Sequence, residues 1–183
     1  MIPPLILLAL SLTALAAGFA LPGLSDLLLL ALPCTLASLW LLLRAALGRG
    51  RPKWIVVDGS NVMHWNGNVP RIETLHEVLG QLARHGYTPG VVFDANAGYR
   101  LTGRHLGDRA LARRLGLPKD RVMVVPKGTP ADPTVLAAAR DLGARIVSND
   151  RYRDWAAGHP EIQEPGWIVR GDYRDGRLWM DLG

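Results

Sequence analysis

The chain has 183 residues, of which 49% are hydrophobic, and it contains 20 Gly, 13 Pro and one cysteine. This length suits one domain with an appended segment. The single Cys34 excludes a disulfide framework and a multi-cysteine zinc site, so we expect no zinc finger. The net charge of +5 falls entirely on residues 48–183, because Asp26 and Arg44 are the only charged residues before them. No long run of like charge occurs, which excludes a disordered acidic or basic tail.

Two uncharged apolar segments lie near the N-terminus, separated by a turn signal, at Leu5–Leu21 and Leu27–Leu43. A membrane-spanning helix needs about 20 apolar residues, with a lower limit near 17. The sequence therefore predicts that residues 1–47 form a transmembrane helical hairpin, with helices at about 4–21 and 25–46. A secretory signal peptide is the alternative, but no positively charged region precedes the first segment.

Basic residues follow the second apolar segment at Arg44, Arg49, Arg51 and Lys53, whereas the turn between the segments has none. Because basic flanks stay on the cytoplasmic side, the rest of the chain should face the cytoplasm. We expect residues 48–53 to form a basic linker at anionic lipid headgroups. The sequence thus predicts a multi-pass protein of the inner or plasma membrane, with the lipid bilayer as a partner.

Strand-like and helix-like segments alternate after the linker, over residues 54–183. The predicted strands are Trp54–Val57, Val91–Phe93, Arg121–Val125 and Arg145–Val147, and the predicted helices are 71–86, 103–115 and the segment from Asp132 to Gly143. A final pair, Trp167–Asp172 and Arg177–Asp181, is typical of an edge hairpin. Short apolar strands separated by helices predict a three-layer α/β/α domain with a mostly parallel sheet.

Carboxylates follow the ends of these strands. Asp58, Asp94 and Asp150 come directly after strands, Asp132 opens the helix after the third strand, and Asp154 lies four residues beyond Asp150. Ligands of open α/β sheets bind outside the carboxyl ends of the strands, so these acids should converge there. If a helix begins at Asp150, then Asp150 and Asp154 point the same way.

Several carboxylates in one crevice repel each other, and a hard divalent cation such as Mg²⁺ relieves that repulsion. Each acid also has an ordinary structural alternative. Asp132 before proline suits a helix N-cap, and Asp58 and Asp94 suit Asx turns. The metal-site hypothesis therefore depends on four or five acids sharing one edge of the sheet.

An acidic crevice within a basic surface favours a polyanion such as RNA as the ligand. The candidate phosphate-binding residues are Arg100, Arg104, Lys127, Arg151 and Arg153, although each could be an ordinary solvated charge. His64 and Trp65 follow the turn after Asp58 and could stack on a base. Plain packing is the alternative for Trp65.

Two motifs carry a resemblance to a known family. The segment Ile55-Val-Val-Asp58-Gly-Ser-Asn61-Val resembles the opening strand of PIN-like nucleases of the NYN group. The segment Ile146-Val-Ser-Asn-Asp150-Arg-Tyr-Arg-Asp154 resembles the second signature of the regnase-type, zinc-finger-associated ribonucleases in that group. The resemblance covers roughly residues 54–180.

This resemblance implies a PIN-like α/β/α domain and an endoribonuclease that needs Mg²⁺ or Mn²⁺ and cuts single-stranded or loop RNA. The residues that match its metal-binding acids are Asp58, Asp132, Asp150 and Asp154, and Asn61 matches an amide that supports the first acid or the phosphate. The family often has paired acids where this chain has Ala131-Asp132. One acid is thus missing, Asp94 is the candidate replacement, and the number of bound metal ions stays open.

Two other functions remain as alternatives. A phosphatase of the haloacid-dehalogenase type also ends its first strand in an aspartate, but it needs a second acid where this chain has Ser60. A membrane-tethered RNA-binding scaffold with weak or no catalysis would account for Ala131. A homo-oligomer is a further open possibility.

Overall fold

The computed structural model describes residues 2–21, 23–24, 26–46 and 52–183. Two compact units are present, Met1–Arg51 and Pro52–Gly183, and each is described by itself. Most of the predicted basic linker, from Gly48 to Arg51, lies outside the described residues.

The first unit consists of two helices, α1 (Ile2–Ala20) and α2 (Leu27–Ala46). Within the described part of the chain, α2 alone is long and apolar enough to cross a membrane, over Leu27–Arg44. The apolar part of α1, Leu5–Ala20, is shorter. A signal sequence near the N-terminus passes the same test of length and composition.

Small residues line the contact between α1 and α2, and large ones point away from it. Ser11, Ala31 and Ser38 are buried, and a Cβ atom on Gly18 would lie 2.9 Å from Leu28 Cδ2. Most leucines of both helices are exposed. This arrangement reverses that of a water-soluble hairpin and is typical of helices that pack within lipid.

The second unit is built on a parallel sheet of five strands in the order β3-β2-β1-β4-β5. The strands are β1 (Lys53–Asp58), β2 (Tyr87–Phe93), β3 (Val122–Val124), β4 (Arg145–Val147) and β5 (Ile168–Val169). The helices of this unit are α3 (Gly59–Val62), α4 (Ile72–Arg84), α5 (Ala97–Thr102), α6 (Asp108–Leu115) and α7 (Asp132–Leu142). The predicted α/β class with a mostly parallel sheet is confirmed.

Alternate side chains of the central strand enter two separate cores, one on each face of the sheet. Ile55 and Val57 pack with the apolar faces of α4 and α6. Val56 packs on the opposite face with Val135 and Leu136 of α7. Period-two alternation in a strand therefore produces three layers, helix on sheet on helix.

The topology fixes where a ligand can bind. From β1 the chain moves outward through α4 to β2 and through α5 and α6 to β3. Helix α7 then crosses the other face and returns the chain to β4, on the opposite side of β1. The direction of winding thus reverses between β1 and β4. In open α/β sheets, the crevice at such a switch point is the ligand-binding position.

Two helix predictions require correction. The predicted helix 103–115 begins five residues later than expected: Gly103 is the left-handed C-cap of α5, with φ 75°, and α6 begins at Asp108 after Gly107. Asp132 is the first residue of α7, and Ala131 occupies the N-cap, so Asp132 does not cap this helix.

The predicted C-terminal hairpin is shorter than expected. Ile168 and Val169 leave it and join the parallel sheet beside β4 as β5. The remaining strands, β6 (Gly171–Arg174) and β7 (Arg177–Met180), form a separate two-stranded antiparallel sheet. Arg145 on β4 secures the chain end, because its guanidinium donates to the carbonyl oxygens of Leu182 at 2.9 Å and Gly166 at 2.6 Å.

We expect Gly59→Ala to lower the free energy of unfolding by about 1–3 kcal/mol. A Cβ atom on Gly59 would overlap the ring of Phe93, which is fully buried. Thermal unfolding of the full chain in detergent, followed by tryptophan fluorescence, measures the effect.

Gly80→Ala is the matched control, since Gly80 also lies in a helix but has 3.6 Å to the flexible end of Arg84. The free energy of unfolding of this variant should be about 0.5–1 kcal/mol higher than that of the wild type. Equal effects of the two substitutions would contradict the packing argument.

Candidate active site

The carboxylate of Asp58 lies at the switch point and is almost fully enclosed, with 5% of the residue exposed. Asp58 ends β1 and caps α3, where its Oδ1 accepts a hydrogen bond from the backbone N–H of Asn61 at 3.1 Å. Its Oδ2 accepts two more, from Ser148 Oγ and from the Tyr152 hydroxyl, both at 3.0 Å. Three donors therefore hold this carboxylate in one orientation.

Burial raises the pKa of Asp58 above its ordinary value of 3.8. The three hydrogen bonds lower the pKa and partly offset this effect, while the negative charge of Asp132 raises it further. No Lys or Arg in the described part of the chain forms an ion pair with Asp58. The site therefore carries a buried negative charge that is stabilised by hydrogen bonds alone.

The loop after β4 links Asp58 to Asp150 through a closed circuit of hydrogen bonds. Ser148 Oγ donates to Asp58 and accepts from the backbone N–H of Asp150 at 3.1 Å. Asp150 Oδ1 then accepts from the backbone N–H of Tyr152 at 2.8 Å, and the Tyr152 hydroxyl returns to Asp58. The positions of the two acids are thereby coupled.

Tyr152 is a site residue that the sequence analysis missed. It is 2% exposed, and its backbone has the left-handed φ of 47°, which turns the ring inward from an otherwise exposed loop. Burial raises the pKa of its hydroxyl, so the group stays a hydrogen-bond donor. The sequence offered one indication of this role, because Tyr152 is an uncharged aromatic residue between Arg151 and Arg153.

The structure brings Asp132 and Asp154 into the same electrostatic environment. Burial raises the pKa of Asp132, and the negative charges of Asp150 and Asp154 raise it further. A hydrogen bond from the Trp155 indole opposes this shift. Four of the five predicted acids are therefore close enough to interact: Asp58, Asp132, Asp150 and Asp154.

No helix begins at Asp150, so the condition for Asp150 and Asp154 to point the same way on a helix is not met. Tyr152 is left-handed, and Asp154 lies in a single 3-10 turn, Arg153–Trp155.

The side chains at this edge are of the type that a hard divalent cation prefers, since they are carboxylates. Among the described residues, no group of three His, Cys, Asp or Glu side chains is arranged to hold a metal ion. The negative charges of Asp150 and Asp154 raise the pKa of Asp132, so these acids share one electrostatic environment. Mg²⁺ binds through few carboxylates and keeps several waters, so it does not require a closed protein cage.

Asn61 supports the first acid through its backbone and positions the next loop through its side chain. Its Oδ1 accepts hydrogen bonds from Trp65 Nε1 at 2.8 Å and from the backbone N–H of Asn149 at 3.0 Å. The Asn149 amide in turn pairs with Gly171, donating to its carbonyl at 2.7 Å. The C-terminal hairpin therefore steadies the loop that carries Asp150.

Trp65 does not offer a surface for base stacking, and that expectation is wrong. The residue is 7% exposed, and its ring lies so close to Gly171 that a Cβ atom there would overlap it. His64 is half-buried, with Nδ1 2.9 Å from the carbonyl oxygen of Ser60. Its role in RNA binding remains an untested prediction.

Asp94 lies at the end of β2, and its side chain is engaged locally. Its Oδ1 accepts from the backbone N–H of Asn96 at 2.6 Å, which is the expected Asx turn. Its own backbone N–H donates to Ser60 Oγ at 2.7 Å, tying the ends of β1 and β2 together. The candidate phosphate-binding residues are all exposed: Arg100, Arg104, Lys127, Arg151 and Arg153.

Comparisons with known structures agree with this fold. Arabidopsis thaliana nuclear protein-only RNase P 2 (PRORP2) matches over 78% of this chain with a TM-score of 0.54 and 18% sequence identity. A second structure of PRORP2 from A. thaliana matches over 72% of the chain, with a TM-score of 0.50 and 19% identity. The chain spans 32% and 30% of those two chains, and the likeness shows the fold alone.

No curated protein matches the chain. The family model described as the Zc3h12a-like Ribonuclease NYN domain, however, matches residues 51–166. This range contains all of the acids described above, and it covers both motifs on which the resemblance to regnase-type nucleases was based. The chain therefore belongs to the Zc3h12a-like ribonuclease NYN family.

Proposed function

We propose that the protein is a divalent-metal-dependent endoribonuclease that hydrolyses phosphodiester bonds in single-stranded or loop RNA. Membership of the NYN ribonuclease family supports RNA cleavage in general terms. The observation that carries the proposal is the hydrogen-bonded circuit that holds Asp58 and Asp150 together at the switch point of the sheet. Asp58 also caps α3, but a buried carboxylate with a raised pKa at a ligand-binding position is typical of a functional site.

The residues that would hold Mg²⁺ or Mn²⁺ are Asp58, Asp132, Asp150 and Asp154. When bound, the ion supplies positive charge that stabilises the phosphate as negative charge develops on it. Hydrogen bonds from Ser148 and Tyr152 lower the pKa of Asp58 and hold its carboxylate in one orientation. Exposed arginines on the Asp150 loop, Arg151 and Arg153, would hold the RNA backbone through its phosphates.

Two alternative functions differ from this proposal in what they require at Ser60 and Ala131. A haloacid-dehalogenase-type phosphatase needs an acid where Ser60 stands, and Ser60 Oγ instead accepts the backbone N–H of Asp94. A non-catalytic RNA-binding scaffold is favoured by Ala131, which occupies the N-cap of α7 without an acidic side chain. Metal-dependent turnover separates the second alternative from the proposal.

We also propose that the first unit anchors the protein in a lipid bilayer, with α2 as the spanning helix and α1 packed beside it. Exposed leucines cover both helices, and small residues fill the contact between them. Near the end of α2, the Arg44 guanidinium lies 5.4 Å from the centre of the Trp40 ring. Paired aromatic and basic residues are typical of the membrane interface on the cytoplasmic side.

Asp150→Asn should reduce RNA cleavage at least ~100-fold, since it removes one carboxylate charge from the proposed metal site. The measurement uses the full chain in detergent with a labelled single-stranded RNA, in Mg²⁺, in Mn²⁺ and in EDTA. Asp120→Asn is the matched control, because Asp120 is exposed at the opposite edge of the sheet. Unchanged cleavage in the Asp150 variant would overturn the proposal.

In EDTA, Asp58→Asn should cost less stability at pH 7 than at pH 4. The folded protein holds the Asp58 proton more tightly than the unfolded chain, so the stability of the wild type falls as the pH rises above 3.8. The asparagine does not titrate, so the deficit of the variant relative to the wild type should grow as the pH is lowered toward 3.8.

Thermal unfolding from pH 4 to 8 measures this effect, with exposed Asp141→Asn as the control. Added Mg²⁺ should stabilise the wild type and have less effect on the Asp58 variant. A deficit that does not change with pH in EDTA would contradict the assignment of a costly buried charge.

Placing two charges on α2, with Leu36→Arg and Leu39→Arg together, should move the protein from the membrane fraction to the soluble fraction. Both side chains are exposed, and a central arginine costs about 3 kcal/mol to insert. Leu142→Arg, on the exposed surface of the second unit, is the control. N-terminal sequencing of the membrane-bound wild type should find α1 retained, whereas a cleaved first helix would indicate a signal sequence.

A further inference from the structure

A cleft of about 530 Å³ opens at the carboxyl ends of β2 and β3, beside the strand that carries Asp58. Its floor is apolar, formed by Val124, Val125 and Pro126. The side chains around it that could contact a ligand include Asn96, Tyr99, His105 and Lys127. Asp108 also lines the cleft, and its Oδ1 accepts a hydrogen bond from the backbone N–H of Val124 at 2.8 Å. The rings of Tyr99 and His105 have no part in the proposed metal site.

The cleft is tied directly to the acidic site. Ser60, two residues after Asp58, accepts the backbone N–H of Asp94 at 2.7 Å, and Asn96 follows in the same turn. On the other side, Asp132 is the fifth residue after Lys127, which limits the distance between their Cα atoms to about 18 Å. An RNA strand held in the cleft therefore reaches the carboxylates within a few nucleotides.

Local packing presents the aromatic rings to solvent. A Cβ atom on Gly98 would overlap the backbone nitrogen of Leu106, so α5 lies directly against the loop that follows it. Thr102 Oγ1 donates to the carbonyl of Gly98 at 2.9 Å and stabilises this arrangement. Tyr99 is thereby turned outward, with 54% of the residue exposed, and His105 lies on the same loop.

The two rings form one platform. Their centroids are 6.1 Å apart and their planes are inclined by 46°, which leaves no parallel slot between them. A flat aromatic ligand would therefore stack on the open face of Tyr99, with the edge of His105 beside it. Stacking would remove the exposed ring of Tyr99 from water, which is favourable because an aromatic face is poorly hydrated.

Polar groups beside the platform suit the rest of a nucleotide. The Lys127 ammonium is exposed and supplies a positive charge for a phosphate. The Asn96 amide is exposed and carries both donors and an acceptor, which suits the edge of a base. An aromatic platform, an apolar floor, an amide and a single cation together match one nucleotide better than a bare phosphate.

We propose that this cleft binds one unpaired base of the RNA on Tyr99 and His105, with an adjoining phosphate on Lys127, and so fixes which phosphate reaches the carboxylates. The inference rests on the proposed function in taking RNA as the ligand. Stacking tolerates every base, so the cleft selects an unpaired nucleotide and not a particular sequence. This selection supplies a physical basis for action on single-stranded or loop RNA.

The test uses the full chain carrying Asp150→Asn in detergent, so that RNA binds without being cut. The probe is a set of stem-loop RNAs with 2-aminopurine at one loop position each, since the stem fixes the register. Fluorescence should be quenched at one position in the loop. Tyr99→Leu should abolish that quench and weaken binding roughly 5- to 100-fold.

Two further variants separate stacking from folding. Tyr99→Phe and Tyr99→Trp keep a ring and should retain the quench, so equal loss in all three variants would overturn the proposal. Lys127→Ala should weaken binding, reduce its salt dependence and leave the quench in place. The controls are His85→Ala and Lys119→Ala, which alter exposed residues near the opposite edge of the sheet and should leave binding unchanged.

Cleavage and stacking are read out separately. RNA cleavage by the wild type without a Tyr99-dependent quench would overturn this proposal and leave the proposed function standing. A Tyr99-dependent quench without cleavage by the wild type would support the base site and overturn the nuclease assignment.

Discussion

The buried carboxylate of Asp58 constrains the other residues at the carboxyl ends of the strands. Its charge is held within the fold by three hydrogen bonds and no ion pair in the described residues. Satisfying those bonds requires the cap of α3, the Ser148 hydroxyl and an inward-turned Tyr152. The loop after β4 supplies two of these donors, and hydrogen bonds to Ser148 and Tyr152 position Asp150. The buried charge lowers the stability of the fold, as is common where function needs a charge in an unfavourable environment.

Much of this fold could be predicted from the sequence. Continuous apolar runs such as Ile55–Val57 indicate buried parallel strands, and their ends locate the acids. The start of the helix predicted at 103–115 was placed too early, because Gly103 ends α5 and Gly107 caps α6, so that 103–107 form the loop between two helices. The short strand β5 was misjudged because two residues carry no pattern, and only pairing with β4 defines them.

The residues that reach across the site were harder to predict than the acids themselves. Tyr152 and Ser148 act through long-range hydrogen bonds to Asp58, and no spacing in the sequence encodes such a contact. Trp65 follows the conspicuous Asp58 turn and seemed suited to stacking, yet it packs against Gly171, more than a hundred residues later. Tyr99, which the sequence analysis passed over, is the aromatic residue left open to solvent beside the site.

The C-terminal hairpin has a consequence for how this domain can be divided. The family model ends at residue 166, before β5, β6 and β7. Yet Gly171 is paired with Asn149, the neighbour of Asp150, and Arg145 holds the carbonyl of Leu182. The match to the family model therefore ends inside the compact unit Pro52–Gly183 and not at its boundary. A protein engineer who trimmed the chain to the residues that the family model matches would remove the support of the loop that carries Asp150.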